Sequence, residues 1–345
     1  MSEVELRGID RERTLRWLAD NVPGLRAPVE FSLISGGRSN LTYRVTDADG
    51  VVGALRRPPT GGVLSTAHDM SREWRFISAL HGTGVPVPAP FAYCEDAEVT
   101  GAAFYVMDFV DGTVLADRSS VTALPLPARH RAGMATVECV AALHNLDPDA
   151  VGLGDVARRD GYLQRQLRRW QKQVHASGAP DLGLLDQVHD ALVASVPEQT
   201  TGIVHGDFRP GNLSYGIDGE VLAVLDWELA TLGEPLADLG WLIATWEEPG
   251  DDLPAVTPGP TAEDGFPTRD DLIARYAELT GRDLSDLSFY VAFQRWRSCC
   301  ITAGVRARYE AGHMGDDGYD ATARADTEHR QAQLAWQAVK DLGLA

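Results

Sequence analysis

The sequence predicts an α+β fold of two lobes, a small β-rich N-terminal lobe and a large, mainly helical C-terminal lobe. Two patterns carry this expectation. Up to Met107, short apolar runs of strand character alternate with Gly- and Asp-rich turns. From Leu126 onwards, apolar residues recur at helical spacing through segment after segment. At 345 residues the chain is long enough for one large two-lobed domain. The expected organisation is residues 1–107 as the N-lobe, 108–112 as an interlobe hinge and 113–345 as the C-lobe.

Taken in order, Asp10 to Asn21 reads as an amphipathic helix, with Leu15, Leu18 and Ala19 on one side and charges on the other. Glu30 to Ile34 reads as a strand that enters the turn Ser35-Gly36-Gly37-Arg38-Ser39-Asn40 and leaves as Leu41 to Val45. Asp47-Ala48-Asp49-Gly50 has hairpin-turn chemistry and leads into a third strand, Val51 to Arg57. Pro58-Pro59-Thr60-Gly61-Gly62 ends that strand, a helix follows from about Ala67 to His81, and Phe104 to Met107 forms a further strand. The C-terminal helices are expected at 128–146, 161–176, 183–195, 236–247, 269–280 and 285–310. Between them, Glu220 to Leu225 reads as a strand, and the Pro-, Gly- and acid-rich run from Glu247 to Pro267 as a loop or lid.

Composition excludes several classes. The net charge of -19 argues against nucleic acid and anionic membrane surfaces, both of which attract basic stripes. No apolar run approaches the roughly 18 residues of a membrane-spanning helix. The start, Met1-Ser2-Glu3-Val4-Glu5, lacks the apolar core of a signal peptide, so a cytoplasmic setting is expected. Cys94, Cys139, Cys299 and Cys300 show no C-x-x-C spacing and fit free, buried thiols in a reducing compartment. Only Lys172 and Lys340 are lysines, so a cation reaching phosphates from the N-lobe must be an arginine.

The segment richest in chemistry is His205-Gly206-Asp207-Phe208-Arg209-Pro210-Gly211-Asn212, followed by Leu225-Asp226-Trp227-Glu228. Phosphoryl transfer from a nucleotide needs a carboxylate to orient and deprotonate the attacking hydroxyl, and oxygen ligands to hold Mg²⁺ against the phosphates. An Asp with an Asn five residues later supplies both from one tight loop, and a strand then delivers a second acidic site. The pattern HGDxxxxN, followed by LDWE, resembles the aminoglycoside phosphotransferase-like small-molecule kinases, which share the protein-kinase-like architecture. On that reading Asp207 is the catalytic base, Asn212 and Asp226 are the Mg²⁺ ligands, and His205 supports the loop. Glu228 either reaches a second metal or the substrate, or is a solvated strand-end charge. The string also resembles H-R-D-L-K-P-x-N of protein kinases, which places Arg209 where a cation neutralises the transferred phosphoryl group.

The N-lobe extends the resemblance. Ala54-Leu55-Arg56 is similar to the Ala-x-Lys of the kinase third strand, and alternation puts Ala54 and Arg56 on one face. Arg56 stands for the usual Lys toward the α- and β-phosphates, with Arg57 as its rival. Glu73 is the only Glu between that strand and Cys94, hence the ion-pair partner expected for Arg56. The turn bearing Ser35, Gly36, Gly37, Ser39 and Asn40 is the expected phosphate cover, through its backbone N–H groups. Met107 to Gly112 resembles the family's hinge, where the Asp108 carbonyl and Val110 amide would meet the adenine edge. The resemblance gives Asp238, at the start of the next helix, the role of steadying the catalytic loop. The implied cofactors are ATP, with GTP left open, and Mg²⁺.

Only eleven residues separate Asp226 from Asp238, too few for the activation segment of a protein kinase. The acceptor expected is therefore a hydroxyl of a small molecule. Arg56-Arg57-Pro58-Pro59 and the C-terminal arginine- and aromatic-rich helices are similar to the kinase-like domain found fused to acyl-CoA dehydrogenases, which implies hydroxyacyl acceptors. Two alternatives stay open. One is an aminoglycoside kinase using Glu247, Glu248, Asp251 and Asp252 to hold a polycation. The other is a non-catalytic nucleotide-binding module.

Overall fold

The computed structural model describes residues 6–36, 40–60, 69–251, 259–312 and 321–344. Helix α1 (Arg11–Asn21) starts where the Asp10 side chain accepts the Arg13 N–H, and it buries Thr14 and Leu18. Strands β1 (Glu30–Gly36), β2 (Leu41–Asp47) and β3 (Gly50–Arg57) follow, then helix α2 (Met70–Leu80), capped by Asp69. Strand β4 (Pro90–Cys94), the short helix α3 (Ala97–Thr100) and strand β5 (Phe104–Met107) complete the N-terminal part. These strands form one antiparallel sheet in the order β1-β2-β3-β5-β4.

The pleat of that sheet sorts its side chains into two cores. Tyr43, Val45, Leu55 and Val106 pack with Leu18 and Val22 on the α1 side. Ala54, Tyr105 and Met107 point the other way, meet Phe76, Ile77 and Leu80 of α2, and join the large C-terminal core.

The C-terminal part begins with β6 (Thr113–Val114) and helices α4 (Leu126–His144), α5 (Tyr162–Ser177) and α6 (Leu182–Ala194). Four short strands carry the chemistry-bearing loops: β7 (Gly202–Val204), β8 (Leu213–Tyr215), β9 (Val221–Val224) and β10 (Thr231–Gly233). They pair as β10-β7 and β6-β8-β9. Helices α7 (Pro235–Thr245), α8 (Arg269–Thr280), α9 (Leu287–Glu310) and α10 (Ala321–Asp341) close the fold.

The sequence patterns locate α4 to α9 within about three residues. They assign nothing between His81 and Phe104 and so miss β4 and α3. They also miss α10, a polar helix that buries Ala332, Ala335 and Val339 against α9 and α6. Helix α2 starts at Met70 rather than near Ala67, and residues 61–68 lie outside the described set. Among the described residues no helix is long and apolar enough to cross a membrane.

Candidate active site

The loop between β7 and β8 is built around Asp238, which is buried in the first turn of α7. Its carboxylate accepts the N–H of His205 at 2.6 Å and of Gly206 at 2.8 Å. Burial alone would raise the Asp238 carboxyl, but His144, His205 and the Gly206 N–H together hold it below the usual carboxylate range. Gly206 has φ +85, and a Cβ there would sit 2.8 Å from the Leu229 carbonyl oxygen, so this turn admits only glycine. The His205 ring is fully buried. Its Nδ1 accepts the Asp207 N–H at 3.2 Å and its Nε2 faces the Leu225 carbonyl at 2.9 Å. That pairing assigns the proton to Nε2 and ties the loop to the segment bearing Asp226. His205 is a brace between the two acidic sites.

Asp207 is held at both carboxylate oxygens. Asn212 Nδ2 donates to its Oδ2 at 2.8 Å and also to its backbone carbonyl at 2.8 Å. Trp241 Nε1 donates to Oδ1 at 2.7 Å. The Asn212 amide therefore points its nitrogen at Asp207 and leaves its Oδ1 for a cation. Arg209 Nε lies 3.6 Å from Asp207 Oδ1, with its guanidinium beside a small depression lined by Leu115, Thr245 and Thr261.

Between sheet and helices lies a cleft of about 320 Å³. Of the sequence-predicted residues, Ala54, Arg56, Asp108, Val110, Asn212 and Asp226 line it. Arg56 Nε donates to Glu73 at 2.8 Å and Nη2 reaches Asp226 at 2.5 Å. Burial would lower the Arg56 pKa, yet Glu73, Tyr105 and Asp226 hold it above the ordinary arginine value. Burial raises the Glu73 carboxyl against the pull of Arg56. Asn40 and the Tyr105 hydroxyl also donate to Glu73, at 2.7 and 2.9 Å. Arg57 faces the opposite side of β3 and donates to the Gly8 carbonyl.

The phosphate-cover prediction is only partly reached. Ser35 and Gly36 end β1, paired with Thr42 and Leu41, whereas Gly37 and Ser39 lie outside the described residues. The Asn40 side chain turns inward to Glu73, so only its backbone is left for a phosphate. At the hinge, the Asp108 N–H is held by the Ala89 carbonyl at 2.8 Å, which fixes the segment beside the cleft. Sequence reasoning missed two residues. Ser214 lines the cleft with a buried hydroxyl that has no hydrogen-bond partner, a site for a ligand atom. Trp241 reaches Asp207 from α7, and no local pattern marks that contact.

Acidic groups crowd one side of the cleft. Asp226 has left-handed backbone, φ 65. Glu228 is pushed up to about 8 by burial and then by the neighbouring Asp226 and Glu73 carboxylates. The oxygen atoms gathered on this wall are the donors that a hard cation prefers. Among the described residues no group of three or more His, Cys, Asp or Glu side chains could hold a metal alone. Asn212 and Asp226 would therefore contribute two oxygens. Mg²⁺ suits that arrangement, since it completes its shell with water and phosphate oxygens.

The geometry agrees with the relatives this chain has. The sequence model of the phosphotransferase enzyme family matches residues 30–278. Human acyl-CoA dehydrogenase family member 11 is 33% identical over 311 residues, 87% of this chain and 40% of that protein. The chain thus spans about two fifths of that relative. A crystal structure of a candidate aminoglycoside phosphotransferase from Ralstonia eutropha JMP134 is 32% identical with a TM-score of 0.78, covering 96% of this chain and 98% of that one. An amicoumacin kinase solved with AMP-PNP, Ca²⁺ and amicoumacin shares the fold at 14% identity and TM-score 0.60, over 96% of this chain and 94% of its own. The chain belongs to the phosphotransferase enzyme family and is a small-molecule kinase.

Proposed function

We propose that this kinase transfers the γ-phosphoryl group of ATP, with Mg²⁺, to a hydroxyl of a small hydroxyacyl compound. The observation that carries the reading is the joined pair of sites. Asn212 holds the Asp207 carboxylate at 2.8 Å and lines, with Asp226, the cleft that Arg56 enters from the sheet. In this reading 1–107 form the nucleotide-covering lobe, 108–112 the hinge and 113–345 the acceptor-binding lobe.

The acceptor hydroxyl donates to Asp207. Its oxygen forms a bond to the γ-phosphorus as the bond to the ADP oxygen breaks, and the proton passes to Asp207 late in the transfer. Arg56, oriented by Glu73, meets the α- and β-phosphates. Arg209 offsets charge on the moving phosphoryl group. Mg²⁺, held by Asn212 and Asp226, would neutralise the β- and γ-phosphate oxygens. The amicoumacin kinase bound to AMP-PNP supports nucleotide use by this fold. Four buried free cysteines support a reducing, cytoplasmic setting.

The hydroxyacyl class is supported by the relatives named as acyl-CoA dehydrogenase family members. The acidic loop is less suited to an aminoglycoside. Glu248 and Asp251 are both engaged by Arg269, and Glu247 accepts the Gly259 N–H at 3.1 Å. ADP formation is to be measured with Mg-ATP across hydroxy acids and their CoA esters on one side and aminoglycosides on the other. The hydroxyacyl panel should turn over, and Asp207→Ala should lose on the order of 10²-fold or more while still binding nucleotide. Turnover confined to aminoglycosides would reverse the acceptor assignment, and full activity of the alanine variant would remove Asp207 as the base.

A further inference from the structure

We propose that Trp241 is a positioning residue for the Asp207 carboxylate, fixing which oxygen edge meets the acceptor hydroxyl. The inference rests on Asp207 being the base and adds a residue that nothing in the loop motif contains. Trp241 lies three residues after Asp238 on α7, so the two project from one face of the helix a turn apart. One helix therefore anchors the loop backbone through Asp238 and the reacting side chain through Trp241.

The contact geometry is specific. The indole Nε1 donates to Asp207 Oδ1 at 2.7 Å while Asn212 donates to Oδ2 at 2.8 Å. With one donor on each oxygen, a partial turn of the carboxyl about its Cβ–Cγ bond weakens both bonds, so its plane is fixed. One acceptor direction per oxygen is left for the incoming hydroxyl.

The indole itself is fixed from behind. Arg297 is buried with its guanidinium 5.7 Å from the Trp241 ring and 5.5 Å from the Trp170 ring. Its Nη2 donates to the Gly206 carbonyl at 3.0 Å and its Nη1 to Gln294 at 2.9 Å. The cation thus braces the catalytic loop and the ring face together. A cation on the indole face also draws density from the ring and strengthens its N–H as a donor to the carboxylate. Phenylalanine in place of Trp241 would keep an aromatic face toward Arg297 while removing the N–H and the smaller half of the ring system.

The test uses the full chain, Mg-ATP and whichever acceptor turns over fastest, or water as acceptor. Asp207→Asn comes first, because its loss of turnover establishes the base. Trp241→Phe should then lower kcat roughly 10-fold to 100-fold, the scale for losing one hydrogen bond to a charged, positioned group. The KM for Mg-ATP should stay within about twofold. In the Asp207→Asn background the same change should cost nothing further, since the two residues act as one unit. Unchanged kcat beside an Asp207→Asn variant whose turnover is strongly reduced would overturn the inference, and so would an equal loss from Trp241→Phe in the parent and in the residual turnover of Asp207→Asn. A second readout needs no turnover. The indole N–H resonance missing from Trp241→Phe should lie downfield in the parent and move upfield in Asp207→Asn. If it does not move, the hydrogen bond is absent in solution and the inference falls whatever the fate of the base assignment.

Discussion

Strand alternation gives Arg56 and Arg57 different environments although they are neighbours. Arg56 turns into the cleft, where Glu73 and Asp226 divide its guanidinium, and Arg57 turns to the Gly8 carbonyl on the far face. The sequence alone left the two as rivals, because alternation separates faces without saying which face carries the ligand. Arg56 spends its planar fork on two carboxylates at once, a geometry that a lysine ammonium does not reproduce. Arg56→Lys should therefore weaken Mg-ATP binding by about 10-fold, the scale of one lost charge-assisted hydrogen bond. Arg57→Ala should leave nucleotide affinity alone and lower stability by about 1–2 kcal/mol through the unpaired Gly8 carbonyl. Calorimetric titration and thermal unfolding of the two variants separate these outcomes. Loss of nucleotide binding in Arg57→Ala with retention in Arg56→Lys would exchange their roles.

Helix α2 is the element through which sheet and helical body act together. Glu73 faces the sheet and Arg56, while its neighbour Arg72 crosses to the Ala230 carbonyl at 2.9 Å and the Val156 carbonyl at 3.1 Å. Arg75 reaches the Gly152 carbonyl at 2.9 Å. This helix is thus held in place without any separate activation segment. Arg72→Ala should free α2, lower kcat by about 10-fold and cost about 2 kcal/mol of stability, since its bonds carry a charged donor. Steady-state kinetics beside a denaturation curve would check this, and a variant that loses stability but keeps kcat would show that α2 needs no such anchor. None of these ties was legible in the sequence, because they join residues far apart in the chain. The loop from His205 to Asn212 and strand β3 were legible because each rests on a pattern within one short segment, and the Glu73 partner because no other Glu lies between that strand and Cys94. Strand β4 was not, because Pro86, Pro88 and Pro90 crowd its start, and β6 and β8 were not, because two or three residues are too few to show a period.

At the scale of the whole molecule, two lobes share one core. Ala54, Tyr105 and Met107 from the sheet belong to the same buried cluster as Val224, Trp227 and the C-terminal helices. Phe76 of α2 stacks on Trp227 with ring centroids 6.2 Å apart, and the Val224 N–H donates to the Pro86 carbonyl at 2.8 Å. The sequence suggested two lobes and a hinge, but its periodicities could not show that the inner face of the sheet would be buried against the second lobe. That continuity predicts one cooperative unfolding transition for the whole chain. It also predicts that residues 1–107 expressed alone will not fold, since Phe76, Leu80, Tyr105 and Met107 would face water. A ligand gripped from both sides should stabilise the entire unit. Mg-ATP at about 100 times its Kd contributes about 2.7 kcal/mol, which for a chain of this size raises Tm by roughly 4 °C. Asn212→Ala and Asp226→Ala should each lose the part of that rise that depends on Mg²⁺, because an oxygen ligand is gone beside the phosphates. Scanning calorimetry with nucleotide, with and without the metal, reads both effects. Two resolved transitions, only one of them moved by nucleotide, would mean that the lobes fold separately and that the shared core does not couple them.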